Sequence, residues 1–329
     1  MDILNKTQRN SSIELLRIIS MLLIVIFHFC GRAYNLFSPE LLTNANTELS
    51  KILLHSLGQT GVPIFMFISG FYGMKFKKNR LIDMMIQCFI YTTVFYLIAC
   101  IIKPELWGTR VFVLNLFGPS TQWFFYSYVV IYLFSDAIND FLKGLSFKQF
   151  TLIVILLLYF SIGLWIMKSS ALNVFSLFEL YVIARYTRLH LYERINRYAV
   201  WLVLPTILLY LLPAFIGWQF NCIDKIQPYV NKYYNPFLII LCVPLIITAD
   251  KYTFYNKYIN SLASTALACL FIHANSYFPS FAIPLFHFEE YSIIRIVLVS
   301  IGIYLFCYVI EKLRVYIQNL IFKRKYFFL

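Results

Sequence analysis

The sequence predicts an all-α integral membrane protein: one polytopic bundle of about ten transmembrane helices with both termini in the cytoplasm. Three observations carry this prediction. Apolar residues make up 60% of the 329 residues and charged residues only 13%, with a mean hydropathy of +0.72. A soluble chain needs about 25% charged residues to cover its surface. The apolar residues also fall into ten windows, roughly 13–31, 58–74, 81–102, 123–138, 150–167, 171–184, 199–220, 236–249, 259–279 and 292–310, spaced as spans and loops would be. Finally, placing the N-terminus inside leaves more than twice as many Lys and Arg on the cytoplasmic side as on the other. That asymmetry orients membrane proteins, and dropping any one span would scramble it.

The elements follow in order. The first begins at the basic Lys6 and Arg9, with Ser11 and Glu14 spaced as a capping box before the apolar run. A signal peptide is excluded because no small-x-small site follows Phe27-His28-Phe29-Cys30. In the second, Gly61 and Pro63 predict a bend or break at the start, and Ser69-Gly70 permits close approach to a neighbour. The third follows the basic loop Lys75-Phe76-Lys77-Lys78-Asn79-Arg80 and stops at Lys103. The fourth opens on Gln122-Trp123-Phe124-Phe125 and ends near Ser135-Asp136; the fifth lies between Lys148 and Lys168. The sixth is short, contains Glu179 and ends at a basic cluster of Arg185, Arg188, Arg194 and Arg197. The seventh precedes Lys225, the short eighth lies between Lys232 and Lys251, the ninth follows Lys257 and contains His273, and the tenth precedes Lys312 and Arg314.

One membrane domain thus fills residues 1–329, with no appended soluble domain. The net charge of +13 resides in short loops between spans, and no RNA- or DNA-binding motif occurs, so a nucleic-acid partner is not expected. The seven cysteines lie mostly within spans and show no CxxC spacing. Neither a metal site nor a disulfide framework is indicated. His55, His190 and His287 fall in loops and match no motif.

Arg17 and His28 are the most informative residues. Eleven residues at about 100° per step return a helix to nearly the same face, about 16 Å further along. An arginine inside a span costs about 2.5–3.5 kcal/mol even on a lenient insertion scale. The two side chains are therefore expected to face a shared polar chamber rather than lipid. Glu14 reads as a helix cap, with an i,i+3 bridge to Arg17 as the alternative.

These residues also carry a resemblance. Arg17 and His28 reproduce the R-x10-H pattern of the acyltransferase 3 family of bacterial membrane proteins. Residues 12–29 (SIELLRIISMLLIVIFHF) resemble that family's opening helix, and 61–71 its second. Gln122-Trp123-Phe124-Phe125 falls where members often have a His/Trp/aromatic cluster. Residues 180–186 (LYVIARY) are similar to its "LGYYI-R-Y" stretch. Residues 264–275 (STALACLFIHAN) look like its "AVYLIH-N" helix, with His273 at the matching position. The matches keep their order along the whole chain. Gln122 departs by replacing a histidine, and Ser135-Asp136 by replacing Ser-Pro.

The resemblance implies a multi-pass protein of a bacterial plasma membrane that moves an acyl group, usually acetyl, from cytoplasmic acetyl-CoA (acyl-CoA) to a hydroxyl of an extracytoplasmic or lipid-linked glycan. It makes His28 the leading catalytic residue, as a base or a transient acyl carrier. Arg17 then either meets a CoA phosphate or organises the polar core through Glu14 or Glu179. Lys77-x-x-Arg80 is the nearest equivalent to an RxxR motif of relatives, as a phosphate contact or an ordinary inside loop. Arg185 and Arg188 meet the nucleotide end of CoA or anionic lipid. Glu179 needs a partner, either Arg17 or a local hydrogen-bond network. His273 is either a structural hydrogen bond or a second contact to the reaction, and Trp123 either a sugar platform or a belt residue. The rival is a transporter or flippase for a polar solute or lipid-linked sugar, against which no inverted repeat of the apolar pattern is evident.

Overall fold

Backbone in lipid has no water to bond, so each crossing segment must close its own hydrogen bonds, and a helix does so within itself. The structure, a computed structural model, describes residues 9–33, 48–116, 122–167, 173–275, 277–278 and 292–322. Lys6, Lys168, His287 and the basic residues at 323–325 lie outside them. Each of the ten apolar windows is predominantly helical, and no strand occurs among the described residues.

The helices are α1 (Ser11–Ala33), α2 (Leu49–Gln59), α3 (Gly61–Tyr72), α4 (Lys78–Ile102), α5 (Thr109–Leu116), α6 (Trp123–Leu133), α7 (Ser135–Gly144), α8 (Phe147–Ile166), α9 (Asn173–Tyr186), α10 (Tyr192–Ile195), α11 (Ala199–Gln219), α12 (Ile223–Val230), α13 (Pro236–Lys251), α14 (Lys257–Ala263), α15 (Ala266–His273) and α16 (Ile293–Phe322). Six segments among the described residues are long and apolar enough to cross a membrane: α1, α2–α3 taken together, α4, α8, α11 and α16. The other four windows occupy shorter helices: α6–α7, α9, α13 and the pair α14–α15.

The bundle is layered around α2–α3, whose apolar stretch is 72% buried, whereas α8 and α11 are 17% buried and form the periphery. Lipid tails are as apolar as leucine, so close van der Waals packing between backbones must hold helices together. Glycines provide it where α2–α3 meets its neighbours. A Cβ on Gly58 would lie 2.8 Å from the Phe27 nitrogen, one on Gly61 2.4 Å from the Ser20 carbonyl oxygen, and one on Gly70 2.5 Å from the Tyr181 carbonyl oxygen. The interruption expected near Pro63 is slight: it falls between α2 and α3 at Thr60, which keeps helical dihedrals of φ −70° and ψ −16°. Pro63 then sits in the first turn of α3, where its missing N–H has no intrahelical partner to lose.

Contacts at the helix ends sort into two sets. At one end, Asn256 N donates to Ser11 Oγ (2.7 Å), Tyr72 to Asp250 (2.5 Å), Asn139 Nδ2 to Met74 O (2.7 Å), and Arg188 bridges Asp250 (2.8 Å). At the other, His28 meets His273, Trp123 stacks on Tyr233, and Trp165 Nε1 donates to Tyr229 O at 2.8 Å. Successive segments therefore run in alternating directions.

Two local expectations are corrected. Asn10, not Ser11, caps α1, accepting from Ser12 N at 3.0 Å. The Ser11 hydroxyl is drawn instead to Asn260 Oδ1 (2.8 Å) and Asn256, and Glu14 turns to Arg17, so no capping box forms. Glu179 does not pair with Arg17. It is fully buried and accepts from the Ser161 hydroxyl of α8, the local network that was its alternative partner.

A buried polar cluster ties α4 to α16. Glu311, 4% exposed, accepts from Gln87 (2.9 Å), Tyr91 (2.6 Å) and two nitrogens of Arg314 (both 2.7 Å). Removing one partner of such a cluster strands a buried charge, which costs about 3–5 kcal/mol. Glu311→Ala is expected to unfold in detergent at markedly lower temperature than wild type. Glu311→Gln, which keeps an acceptor oxygen, should fall between them, as thermal unfolding followed by tryptophan fluorescence would report.

Candidate functional site

Helix α1 carries a stripe of Arg17, Ser20, Ile24 and His28 at helical spacing, polar except at Ile24. Its two ends serve two different regions. Near the start, Arg17 Nη1 bonds Glu14 Oε1 at 2.5 Å. Tyr72 bonds Asp250, which holds Arg188. The Arg188 guanidinium lies over the rings of Phe71 (4.9 Å) and Tyr192 (4.8 Å). It follows directly on α9, in a π-helical turn over residues 187–191. The same end of the bundle thus carries two ion pairs, Arg17–Glu14 and Arg188–Asp250.

The basic loop 73–77 adjoins it. Gly73 adopts φ +73°, and a Cβ there would meet Arg185 Nη1 at 3.0 Å and Asn139 Oδ1 at 3.2 Å, so glycine is needed twice over. Tyr181 OH accepts from Met74 N (3.1 Å), Tyr132 OH from Lys77 N (2.9 Å), and Asp136 from Phe76 N (3.3 Å). Asp136 therefore helps pin this loop. The Lys77 and Arg80 side chains are exposed at the start of α4, where helix N–H groups and the macrodipole favour anions. Arg185 is different: it is 6% exposed and donates to Phe71 O at 3.2 Å, closing the end of α3.

His28 lies at the opposite end. Its Nδ1 is 3.1 Å from His273 Nε2, and His273 Nδ1 is 2.6 Å from the Cys269 carbonyl oxygen one turn back on α15. A carbonyl oxygen only accepts, so His273 Nδ1 carries a proton and, in the neutral ring, Nε2 carries the lone pair. His28 Nδ1 must then donate to that lone pair. In the neutral pair this leaves His28 Nε2 as the basic nitrogen. The tautomer of the first imidazole is set by the second, and the second by main chain.

His28 lines a cavity of about 180 Å³. Ile24 and Phe27 of α1 share its wall with Gly58, Gln59 and Val62 at the α2–α3 junction. Gln122, Trp123 and Phe124 at the start of α6, Tyr233 before α13, and Leu270 and Ala274 of the ninth window complete it. Trp123 stacks on Tyr233 with centroids 5.1 Å apart, and both line the cavity.

The structure brings together His28, His273 and Trp123 at one end, and places Glu14, Arg17 and Arg188 at the other, with Lys77 and Arg80 exposed nearby. Among the described residues, the cavity at His28 does not reach Arg17. The reason is packing: Gly61 presses on Ser20 and Ile24, which lie between the two on the same stripe. Sequence reasoning also missed Gln59, Tyr233 and His55. His55 lies within α2, not in a loop; it is fully buried, 4.6 Å from the Phe27 ring and 3.2 Å from Gln227 Nε2. The one legible signal was Gln59, a polar residue just before the Thr60-Gly61 junction.

The acyltransferase 3 family, described as an acyltransferase domain, matches residues 10–312. No curated protein and no solved structure matches the chain. The family match favours acyl transfer over the transporter reading.

Proposed function

The chain belongs to the acyltransferase 3 family, and on that premise we propose that it moves an acyl group, acetyl in the first instance, from cytoplasmic acyl-CoA to a hydroxyl of a cell-envelope, capsular or lipid-linked glycan. The reading places ten spans in a bacterial plasma membrane with both termini inside, in keeping with the alternating helix directions and the basic ends of α3, α9 and α13. Acetyl-CoA is the donor substrate, and no metal is invoked.

The observation that carries the proposal is the chain of hydrogen bonds from Cys269 O through His273 to His28 beside a cavity. Acyl transfer to a sugar hydroxyl needs a base that works near neutrality, which imidazole supplies. The acceptor O–H passes its proton to His28 Nε2 as its oxygen bonds to the thioester carbonyl carbon. The tetrahedral adduct then breaks its C–S bond, and the imidazolium returns the proton to the departing thiolate. His273 Nε2 holds the Nδ1 proton throughout and stabilises the imidazolium.

The phosphates of the donor fall to Arg17, Arg188, Lys77 and Arg80, while Arg185 shapes the surface they share from within. The pantetheine arm must then cover the roughly 16 Å from Arg17 to His28 along α1. The close packing at Gly61 lies on that route, so the α2–α3 junction at Thr60 is the element that must yield. The test is direct. Purified protein in lipid nanodiscs, given radiolabelled acetyl-CoA and de-O-acetylated envelope polysaccharide, is expected to place alkali-labile label on the polysaccharide. Unlabelled polysaccharide with the acetyl-CoA intact would contradict the proposal.

A further inference from the structure

Beside His28, the cavity presents two features that base catalysis does not use. Trp123 and Tyr233 form a stacked aromatic wall, their ring planes 29° apart. Gln59 lines the same cavity while only 3% exposed. Its buried Oε1 has no hydrogen-bond partner among the described residues. A buried carbonyl oxygen without a donor loses its hydration and gains nothing in exchange. Such an atom in a functional cavity calls for a ligand that brings the donor. The volume of about 180 Å³ is below the 300–1,000 Å³ of pockets that enclose drug-sized ligands. It suits one ring, not a chain of several.

We infer that this cavity is the acceptor subsite: Trp123, backed by Tyr233, takes the apolar face of one pyranose ring, and Gln59 Oε1 accepts a hydrogen bond from a hydroxyl or amide N–H on that ring. The inference rests on the acyltransferase reading above and adds the acceptor's shape and polarity to it. Gln59 does not touch the reacting bond. It fixes which edge of the ring faces His28 and so selects the hydroxyl that is acylated. A site built to pair a substrate donor discriminates strongly against an analogue that lacks it, because the buried acceptor is then left empty.

The test uses the full chain in nanodiscs, radiolabelled acetyl-CoA, and envelope polysaccharide from a strain deleted for the gene. Gln59→Leu is expected to raise KM for the polysaccharide about tenfold, the loss of one good hydrogen bond, with KM for acetyl-CoA unchanged. Trp123→Leu should do the same, while Trp123→Phe and Gln59→Glu, which keep a ring and an acceptor, should retain most acceptor affinity. A merely structural role would shift both KM values together. Wild-type transfer with acceptor KM unaltered in both leucine variants would overturn the subsite and leave the acyltransferase reading standing. Absence of transfer by the wild type would remove both.

Discussion

His28→Ala is expected to lower acyl transfer to the polysaccharide by about 10²–10⁴-fold, the range that a positioned general base supplies. The fold should survive, because His28 is partly buried at a cavity wall and the close approaches of α1 to α2–α3 are made by backbone at Phe27, Ser20 and Ile24. Thermal unfolding within a few degrees of wild type would confirm that. His28→Gln keeps size and hydrogen-bonding capacity but has no basic nitrogen, so it should be nearly as inactive as the alanine variant. A glutamine variant with wild-type turnover would show that position 28 only holds structure. Retained turnover in both variants would move catalysis elsewhere in the bundle.

His273→Ala is the second large effect, expected at about 10²-fold in kcat within the same general-base range. His273 touches no reacting atom in this account; it is a positioning residue. Without it, His28 Nδ1–H loses its acceptor, both tautomers become accessible, and the imidazolium loses its stabilising partner. The comparable change of an orienting group in serine proteases costs about 10⁴ in kcat through the wrong tautomer. KM for acetyl-CoA and for polysaccharide should stay within about twofold, because His273 meets neither substrate. His273→Gln can still offer an oxygen to His28 Nδ1–H and should recover part of the rate. Equal loss in the alanine and glutamine variants, with both KM values raised, would mark His273 as a packing residue.

Length and hydropathy made the fold's outline legible. The ten windows needed nothing more, because membrane helices are apolar all round and satisfy their own backbone. The interruption before α3 was legible at Gly61 and Pro63, whose effects are local. So was the alignment of Arg17 with His28, since helical spacing fixes the face. The capping box failed because Ser11 prefers Asn256 and Asn260, partners some 245 residues away in sequence. Local spacing gives no warning of such competition. The extent of the His28 cavity was hidden for a related reason: nothing in the α1 stripe announced that Gly61 would pack against its middle, at Ser20 and Ile24. The cavity wall was invisible for the same cause. Gln59, Trp123, Tyr233 and Ala274 stand at the ends of four separate helical segments, and only their alternating directions bring those ends together. His273 sits between these cases. The resemblance marked it, but its role depends on a carbonyl oxygen one turn back, which sequence does not place.

The central claim is that His273 holds His28 in the tautomer whose Nε2 is basic. Nitrogen-15 NMR of histidine-labelled protein in lipid nanodiscs measures this directly, with the His28 signals assigned by their loss in His28→Gln. Above the pH at which the ring titrates, the account predicts a protonated Nδ1 and an unprotonated Nε2 at His28, shifting to a tautomer mixture in His273→Ala. A wild-type His28 ring protonated at Nε2, or one indifferent to removal of His273, would contradict it.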